Sequence, residues 1–294
     1  MMNSRPPAIL DFDGSVSGIE RATVLPLQPW QETIRFGCRW RDFQRLASLL
    51  AVRLPADPGC VFTGSGDYHH LSYLLLQRVT QPLQLIVCDN HPDTMRYPLG
   101  IHCGSWVYWA SRLPQVRAIH VLGICSHDIS WRHRWEIHAG PQLRRKLTYW
   151  SLDVSTRWLN WPGRRPDPHC FHDADTLMAR FLSQLAPLPV YLSLDKDVLS
   201  PQVVTTNWDQ GRFLPQHLLR LIRACRGRLL GADITGEASV YRFQRRFKRW
   251  LSALDGQPLA DPAQLEAWQH QHRQINRLLL AEITPALAAP GPAR

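Results

Sequence analysis

Two short acidic segments contain residue types that bind metal ions. The first, at positions 89–93, reads Asp-Asn-His-Pro-Asp and directly follows the apolar run at 83–88. Side chains two residues apart on an extended backbone point to the same side, so Asp89, His91 and Asp93 are expected to face one way. Carboxylates together with a histidine suit a divalent ion such as manganese, iron or zinc. A polar turn with incidental acids is the alternative interpretation of this segment alone.

A second pair of acids repeats the arrangement on another apolar run. Asp195 and Asp197 follow the run at 190–194, which reads Val-Tyr-Leu-Ser-Leu. Two carboxylates that point the same way repel each other, and they need either a cation between them or a raised pKa. Two such clusters on separate strands supply enough ligands for a pair of ions. Together the two segments predict a binuclear metal site.

A glycine-containing segment adds candidate histidines. Positions 63–71 read Thr-Gly-Ser-Gly-Asp-Tyr-His-His-Leu, after an apolar run and before a helical pattern. The glycines permit a tight turn from strand to helix, and a histidine at the start of that helix can face a crevice. No lysine follows in the position that a phosphate-binding P-loop requires. The segment therefore offers His69 and His70 as further ligands.

Strands and helices that could position these residues alternate along the chain. Short apolar strands are predicted at 8–10, 60–62, 83–88, 118–122, 190–194 and 229–232. Helical patterns are predicted at 40–50, 71–76, 175–185, 214–223 and 262–283. Near-continuous apolar strands usually lie in a parallel sheet with both faces covered, and open sheets of this kind carry their sites at the carboxyl ends of the strands. The predicted fold class is α/β, a three-layer, doubly wound, mainly parallel sheet. We expect a single domain over residues 1–284 and a flexible tail over 285–294.

The composition is that of a globular enzyme. Of the 294 residues, 45% are hydrophobic and 20% are charged, and no run approaches the roughly 18 apolar residues that a membrane span needs. The first residues lack the pattern of a signal peptide. Seven cysteines without a CxxC pair favour reduced thiols over a disulfide framework. We expect a cytoplasmic protein without membrane association.

A formal net charge of +10 raises the question of nucleic-acid binding. The densest basic run, at 242–250, has interleaved aromatic residues. A phosphate-binding face is one interpretation. The other is a solvated helix surface with Phe243, Phe247 and Trp250 turned inward, and this is the more common case. Nucleic acid is therefore not the expected partner.

At its three candidate segments together, the chain resembles the ureohydrolase family of arginase, agmatinase and formiminoglutamase. The family motifs Gly-Gly-Asp-His, Asp-Ala-His-x-Asp and Ser-x-Asp-x-Asp-x-x-Asp-Pro correspond to positions 65–69, 89–93 and 193–201, in the same order. The resemblance extends over about residues 60 to 240. It implies an arginase-like fold and hydrolysis of a C–N bond in a small cationic guanidino, amidino or formimino compound. Relatives are trimers or hexamers, so a homo-oligomer is left open.

The resemblance also implies a ligand set. Asp89 and Asp195 would bridge two manganese ions, with iron or zinc as alternatives. The ions would activate a water molecule as the nucleophile. The further ligands would be His69 and Asp93 for one ion, and His91 and Asp197 for the other.

Two more residues correspond to catalytic positions of the family. His102 resembles the histidine that transfers a proton, although a partly buried structural histidine is the alternative. Glu237 resembles the glutamate that pairs with a substrate guanidinium.

A group of aromatic residues suggests either an aromatic-walled pocket or core positions. They are Trp106, Tyr108, Trp109, Trp131 and Trp135.

The chain departs from the family pattern at several positions. Tyr68 separates the motif's aspartate from the histidine, so His69 is the first choice as ligand and His70 the reserve. Ser200 replaces the last aspartate of the third motif. Glu237 follows Asp233 by four residues where the family usually has three. The loop from position 93 to 102 is shorter than that of arginase, where this segment contacts the amino-acid end of the substrate. Arginine is therefore not the expected substrate.

Two other functions fit parts of the sequence. Asp11 and Asp13, after a strand, resemble the first motif of haloacid-dehalogenase phosphatases, which would need to recruit Lys196 and Asp233 for magnesium. That assignment gives the acidic segment at 89–93 no role, and a polar turn explains Asp11 and Asp13 equally well.

A non-catalytic ureohydrolase-like binding protein is the second alternative.

Overall fold

The computed structural model describes residues 5–159, 169–246, 248–250 and 261–287. Its strands are β1 (Ala8–Asp11), β2 (Thr23–Pro26), β3 (Gly37–Cys38), β4 (Cys60–Gly64), β5 (Leu83–Cys88), β6 (Ile101–His102), β7 (Val116–Ile124), β8 (Leu147–Leu152), β9 (Cys170–Phe171), β10 (Val190–Asp195) and β11 (Leu229–Thr235). Its helices are α1 (Gln31–Ile34), α2 (Trp40–Arg53), α3 (Leu71–Gln77), α4 (Trp106–Ala110), α5 (Gly140–Leu143), α6 (Ala174–Gln184), α7 (Pro215–Ala224) and α8 (Pro262–Ala286).

Nine of these strands form one parallel sheet, in the order β2-β1-β4-β11-β10-β5-β7-β8-β9. The strands β3 and β6 form a separate antiparallel pair. Because all nine strands run in one direction, the carboxyl ends of β4, β11, β10 and β5 meet at one edge of the sheet. The segments that follow these four strands are thereby brought together.

Each face of the sheet is covered by helices, as the apolar strands require. In β5, Leu85 and Val87 belong to one core cluster with side chains of α2, α3 and α4. Ile86 and Cys88 belong to the other, with side chains of α6, α7 and α8. This alternation places one hydrophobic core on each side of the sheet. The prediction of a three-layer, doubly wound α/β fold is confirmed.

The predicted elements recur with small shifts of their ends, but three sheet strands were not predicted. The strand β8 mixes polar and aromatic residues and follows three basic ones, so it has no apolar run. The edge strand β2 is only partly covered, and Val24 is 54% exposed. The strand β9 has only two residues. Strands of this kind carry too little local hydrophobicity to stand out in a sequence.

The last helix begins as predicted but ends later. Asp261 caps α8, since its side chain accepts a hydrogen bond from the Gln264 N–H. The expected boundary between residues 284 and 285 falls within α8, because this helix runs to Ala286, which is buried, and Leu287 pairs with Leu229. Positions 288–294 lie outside the described residues. None of the described helices is both long and apolar enough to cross a membrane.

The basic segment at 242–250 is partly anchored. Phe243 is buried, and Lys248 Nζ donates to the carbonyl oxygens of Thr33 and Arg35. Trp250 is 59% exposed, which corrects the expectation that it turns inward. Phe247 lies outside the described residues.

The core on the α6 side provides a test of the fold. Phe181 in α6 is 1% exposed and packs edge-on against Trp150 of β8, at a ring-centroid distance of 5.1 Å. We expect Phe181→Ala to lower the free energy of unfolding by about 3–5 kcal/mol, because it leaves a cavity. The neighbouring exposed Arg180→Ala should change it by less than about 0.5 kcal/mol. Urea denaturation of both variants measures the difference, and equal losses would contradict the packing of α6.

Candidate metal centre

The six predicted ligand residues converge where the central strands end. The strands β5 and β10 are direct neighbours, with Leu194 opposite Cys88, so the acids after each strand meet. Side-chain donor atoms form two groups, within each of which all atoms lie within 4.8 Å of one another. The groups are His69, Asp89 and Asp93, and Asp89, His91 and Asp197.

The first group surrounds the Nδ1 atom of His69. That atom lies 3.2 Å from Asp89 Oδ2 and 3.1 Å from Asp93 Oδ2. Asp195 Oδ2 lies 3.4 Å from the same nitrogen. Three carboxylate oxygens from the ends of two strands thus face one imidazole nitrogen.

The second group surrounds the Nδ1 atom of His91. This atom lies 2.9 Å from Asp197 Oδ2 and 3.4 Å from Asp89 Oδ1. Asp89 therefore presents one oxygen to each group, which is the arrangement of a bridging carboxylate. Asp195 contacts a member of each group: its Oδ2 lies 3.4 Å from His69 Nδ1, and its Oδ1 accepts a hydrogen bond from the Asp197 N–H.

Both histidines are oriented through their second ring nitrogen. His69 Nε2 lies 3.0 Å from Ser193 Oγ, and that hydroxyl donates to Asp233 Oδ1 at 2.7 Å. His91 Nε2 lies 2.7 Å from Asp209 Oδ1. Such partners fix the tautomer and leave Nδ1 free to bind a metal ion. Asp209 was not predicted from the sequence, because it lies in a loop outside the recognised motifs.

The insertion of Tyr68 is accommodated by a single 3-10 turn over Gly66–Tyr68. The Tyr68 ring is buried and stacks on Phe12, with ring centroids 4.6 Å apart. The turn directs His69 to the acids, whereas the ring of His70 stacks on Phe43, at a centroid distance of 5.7 Å. Of the two candidate histidines, His69 is thus the one that faces the acidic cluster.

The clustered acids perturb one another strongly. Burial and the charge of Asp89 raise the pKa values of Asp93 and Asp197 to about 7 each. Burial and Asp197 raise the pKa of Asp195 well above its usual value. Burial alone would lower the pKa of His69, but its contacts with Asp89 and Asp93 raise it well above the usual range. Several of these groups can be charged together only with added positive charge.

The donor set fits divalent cations. Carboxylate oxygens and imidazole nitrogens are the ligands that manganese, iron and zinc share. Asp89 Oδ2 is buried, and when His69 Nδ1, 3.2 Å away, carries no proton, this oxygen accepts no hydrogen bond within the described part of the chain. A buried oxygen without a partner is costly, and a metal ion at this position would satisfy it.

A cleft of about 320 Å³ opens onto the two groups. Its walls include the aromatic rings of Phe36, Tyr97 and Trp208, with Asp128 and Glu136 adding acidic side chains. These rings are not the ones suggested from the sequence, because none of those five aromatic residues lines the cleft in the described part of the chain. Trp106 is a core residue whose Nε1 donates to Asp93 Oδ2 at 2.6 Å, whereas Trp131 and Trp135 are 57% and 69% exposed.

His102 lies on the wall of this cleft. Its Nδ1 accepts a hydrogen bond from the Gly104 N–H at 2.9 Å, so the neutral ring carries its proton on Nε2. Burial and the charge of Lys248 lower the pKa of His102 to about 3. The ring is held by an edge contact with Phe36, at a centroid distance of 4.3 Å.

Glu237 occupies a different place from the one expected. Its carboxylate forms a buried ion pair with Lys196 and accepts a hydrogen bond from Asn276 Nδ2. Glu237 is not among the residues that line the cleft in the described part of the chain. The structure corrects the expectation that Glu237 meets a substrate cation there, because its side chain is directed to Lys196 and α8.

The residues of the phosphatase alternative do not form one site. Asp11 accepts hydrogen bonds from the Gly14 N–H and Gln28, as a polar turn does. Asp13 contacts Ser15, Ser239 and the buried Arg35. Lys196 and Asp233 have the separate partners described above. The polar-turn interpretation of Asp11 and Asp13 therefore fits the structure.

Known proteins with similar sequences match only part of this chain. No family model matches it. It is 30% identical over 191 residues to an uncharacterised protein of Thermotoga maritima, covering 65% of this chain and 62% of that protein. It is 26% identical over 190 residues to the mitochondrial agmatinase of Gallus gallus, covering 62% of this chain and 51% of that enzyme. The aligned part thus spans less than two thirds of these relatives.

A solved structure extends the comparison to almost the whole chain. The proclavaminate amidino hydrolase of Streptomyces clavuligerus is similar with a TM-score of 0.57 at 17% sequence identity, over 97% of this chain and 94% of that one. At this identity the similarity establishes the fold. The chain therefore has the arginase-like α/β fold of this neighbour, as the family resemblance implied.

Proposed function

We propose that this protein is a binuclear metal-dependent hydrolase that cleaves a C–N bond of a small cationic guanidino, amidino or formimino compound. The observation that carries this proposal is the position of Asp89, whose two oxygens face two separate groups of donors. One buried carboxylate shared by two donor groups is the arrangement expected for two neighbouring ions. The similarity to an agmatinase supports the choice of reaction.

His69 and Asp93 would hold one ion, His91 and Asp197 the other, and Asp89 and Asp195 both. Manganese is the proposed metal, with iron or zinc as alternatives. A pair of such ions lowers the pKa of a shared water molecule and stabilises negative charge at the reacting carbon.

The remaining groups would bind and orient the substrate. His102 lies at the cleft wall with the single proton of its neutral ring on Nε2. It is our candidate for passing to the leaving amine the proton that the attacking water loses. Asp128 and Glu136 supply negative charge along the cleft, and Trp208 and Phe36 supply flat apolar walls. A cationic, planar group with an apolar tail matches these walls better than an α-amino acid does. Arginine is therefore not the proposed substrate.

We also propose a cytoplasmic location and no nucleic-acid partner, which accord with the composition and the sequence pattern. The family resemblance leaves a homo-oligomer possible.

The first test combines metal analysis with a substrate screen. Protein purified with added Mn²⁺ and freed of excess metal should retain two ions per chain. It should release urea, ammonia or formamide from a non-arginine member of a panel of guanidino, amidino and formimino compounds. Absence of bound metal would contradict the proposal. Efficient hydrolysis of arginine would contradict only the choice of substrate.

The adjacent histidines allow a matched test of the ligand set. Both are buried, but only His69 faces the acids. We expect His69→Leu to lose at least one ion per chain, because Nδ1 is removed, and His70→Leu to keep both. Equilibrium dialysis against Mn²⁺ measures this, with circular dichroism to verify folding. Equal loss in the two variants would show that the ligand has been assigned wrongly.

Asp195 and Ser200, both in the third motif, offer a second matched pair. Asp195 lies next to both donor groups, whereas Ser200 lies in the following turn and its Oγ accepts a hydrogen bond from the Gln202 N–H. We expect Asp195→Ala to abolish hydrolysis and to lower metal content, since the loss of a bridging carboxylate disturbs both ions. Ser200→Ala should retain both properties. Assays on the substrate found in the screen, with metal analysis, decide between this outcome and comparable losses at the two positions.

A further inference from the structure

A buried polar network lies directly behind the acids of the candidate metal centre. Lys196, between the two acids Asp195 and Asp197, is fully buried. Its Nζ donates to Glu237 Oε1 and to Asn276 Oδ1, the latter at 2.9 Å. Asn276 Nδ2 donates to the same Glu237 oxygen at 2.6 Å. The network links the turn after β10, the turn after β11 and the middle of α8.

The turn after β11 also packs closely on the acids themselves. Gly236 has φ +87°, and a Cβ atom added there would lie 2.4 Å from Asp195 Oδ1 and 2.7 Å from the Lys196 backbone nitrogen. Only glycine allows both this conformation and this close approach. The close packing of Gly236 thus places the next residue, Glu237, against the turn that carries Asp195 and Lys196.

The shifted position of Glu237 and the burial of Lys196 explain each other. A lysine buried in the third motif needs a carboxylate partner, since an unpaired buried charge costs several kcal/mol. Glu237 supplies that partner through its shifted position. Its second oxygen lies 3.6 Å from His272 Nδ1, and His272 Nε2 lies 2.8 Å from the Thr205 carbonyl oxygen. The loop that carries Asp209, the partner of His91, is thus joined to the same network.

We propose that Lys196, Glu237 and Asn276 form a positioning network that holds Asp195 and Asp197 in the geometry needed to bind metal, and that Glu237 acts there instead of on the substrate. The inference rests on the proposed binuclear site. The acids repel one another, so the turn that carries them needs contacts on its other side to keep its conformation. Asn276 of α8 and Glu237 provide these contacts through Lys196, which also places one buried positive charge beside the acids.

The experiment compares four variants of the full chain. Glu237→Gln and Lys196→Met each leave one buried charge unpaired while keeping the side-chain shape. The double variant Lys196→Met/Glu237→Gln removes both charges. Glu282→Gln is the control, because Glu282 also lies on α8 and pairs with Arg223, but at the exposed surface. Titration calorimetry with Mn²⁺ gives the affinity, thermal unfolding without metal gives the stability, and assays separate kcat from KM.

Each single variant is expected to bind Mn²⁺ about 10–100-fold more weakly, as is typical when a residue that supports a ligand is lost. The double variant should recover much of that affinity, because no buried charge remains unpaired. Glu282→Gln should bind metal like the unmodified protein. Should the single variants not fold, Asn276→Ala keeps the ion pair and should still weaken Mn²⁺ binding.

Two results would overturn the inference. One is unchanged Mn²⁺ affinity in Glu237→Gln and Lys196→Met, or in Asn276→Ala where those do not fold. The other is a Glu237→Gln variant with unchanged metal affinity and a raised KM alone, which would return Glu237 to substrate binding. Failure of the unmodified protein to bind metal is a separate outcome, and it would contradict the proposed function itself.

Discussion

Mutual repulsion among four buried aspartates is the constraint on which this structure depends. Asp89 and Asp93 follow one strand, and Asp195 and Asp197 follow the neighbouring one. Without compensation, burial and proximity raise the pKa values of three of them, so the cluster cannot be fully ionised. Two imidazoles face the acids through their Nδ1 atoms. A pair of divalent cations would resolve this conflict, and the proposed function follows from that need.

The fold meets the constraint by holding each donor from behind. Ser193 and Asp233 orient His69, Asp209 orients His91, and the Trp106 Nε1–H holds Asp93. Ser193 and Asp233 lie on strands of the sheet, Trp106 begins α4, and Asp209 lies in a loop. Preorganisation of this kind reduces the cost of ordering ligands when a metal ion binds. Lys196 is proposed to support the acids in the same way, from the other side of the turn after β10.

The sequence predicted the parts of the molecule that depend on local pattern. Apolar runs located the central strands. The acidic segment at 89–93 stood out by its residue types, but its chain bends after Cys88 and Asp93 has φ +49°, so the extended backbone expected for it is not observed. The position of Glu237 could not be predicted, because it depends on a contact with Lys196 that spans some forty positions. Asp209 and Trp208 were missed for a related reason, since they reach the centre from a loop without a motif. Local periodicity cannot report which loops fold over a sheet edge.

The central claim is that Asp89 is shared by two metal ions. The most direct measurement is anomalous diffraction from crystals grown with Mn²⁺, recorded on both sides of the manganese absorption edge. We expect two anomalous peaks about 3.5–4 Å apart, one on each side of the Asp89 carboxylate. A single peak, or peaks away from this carboxylate, would contradict the claim.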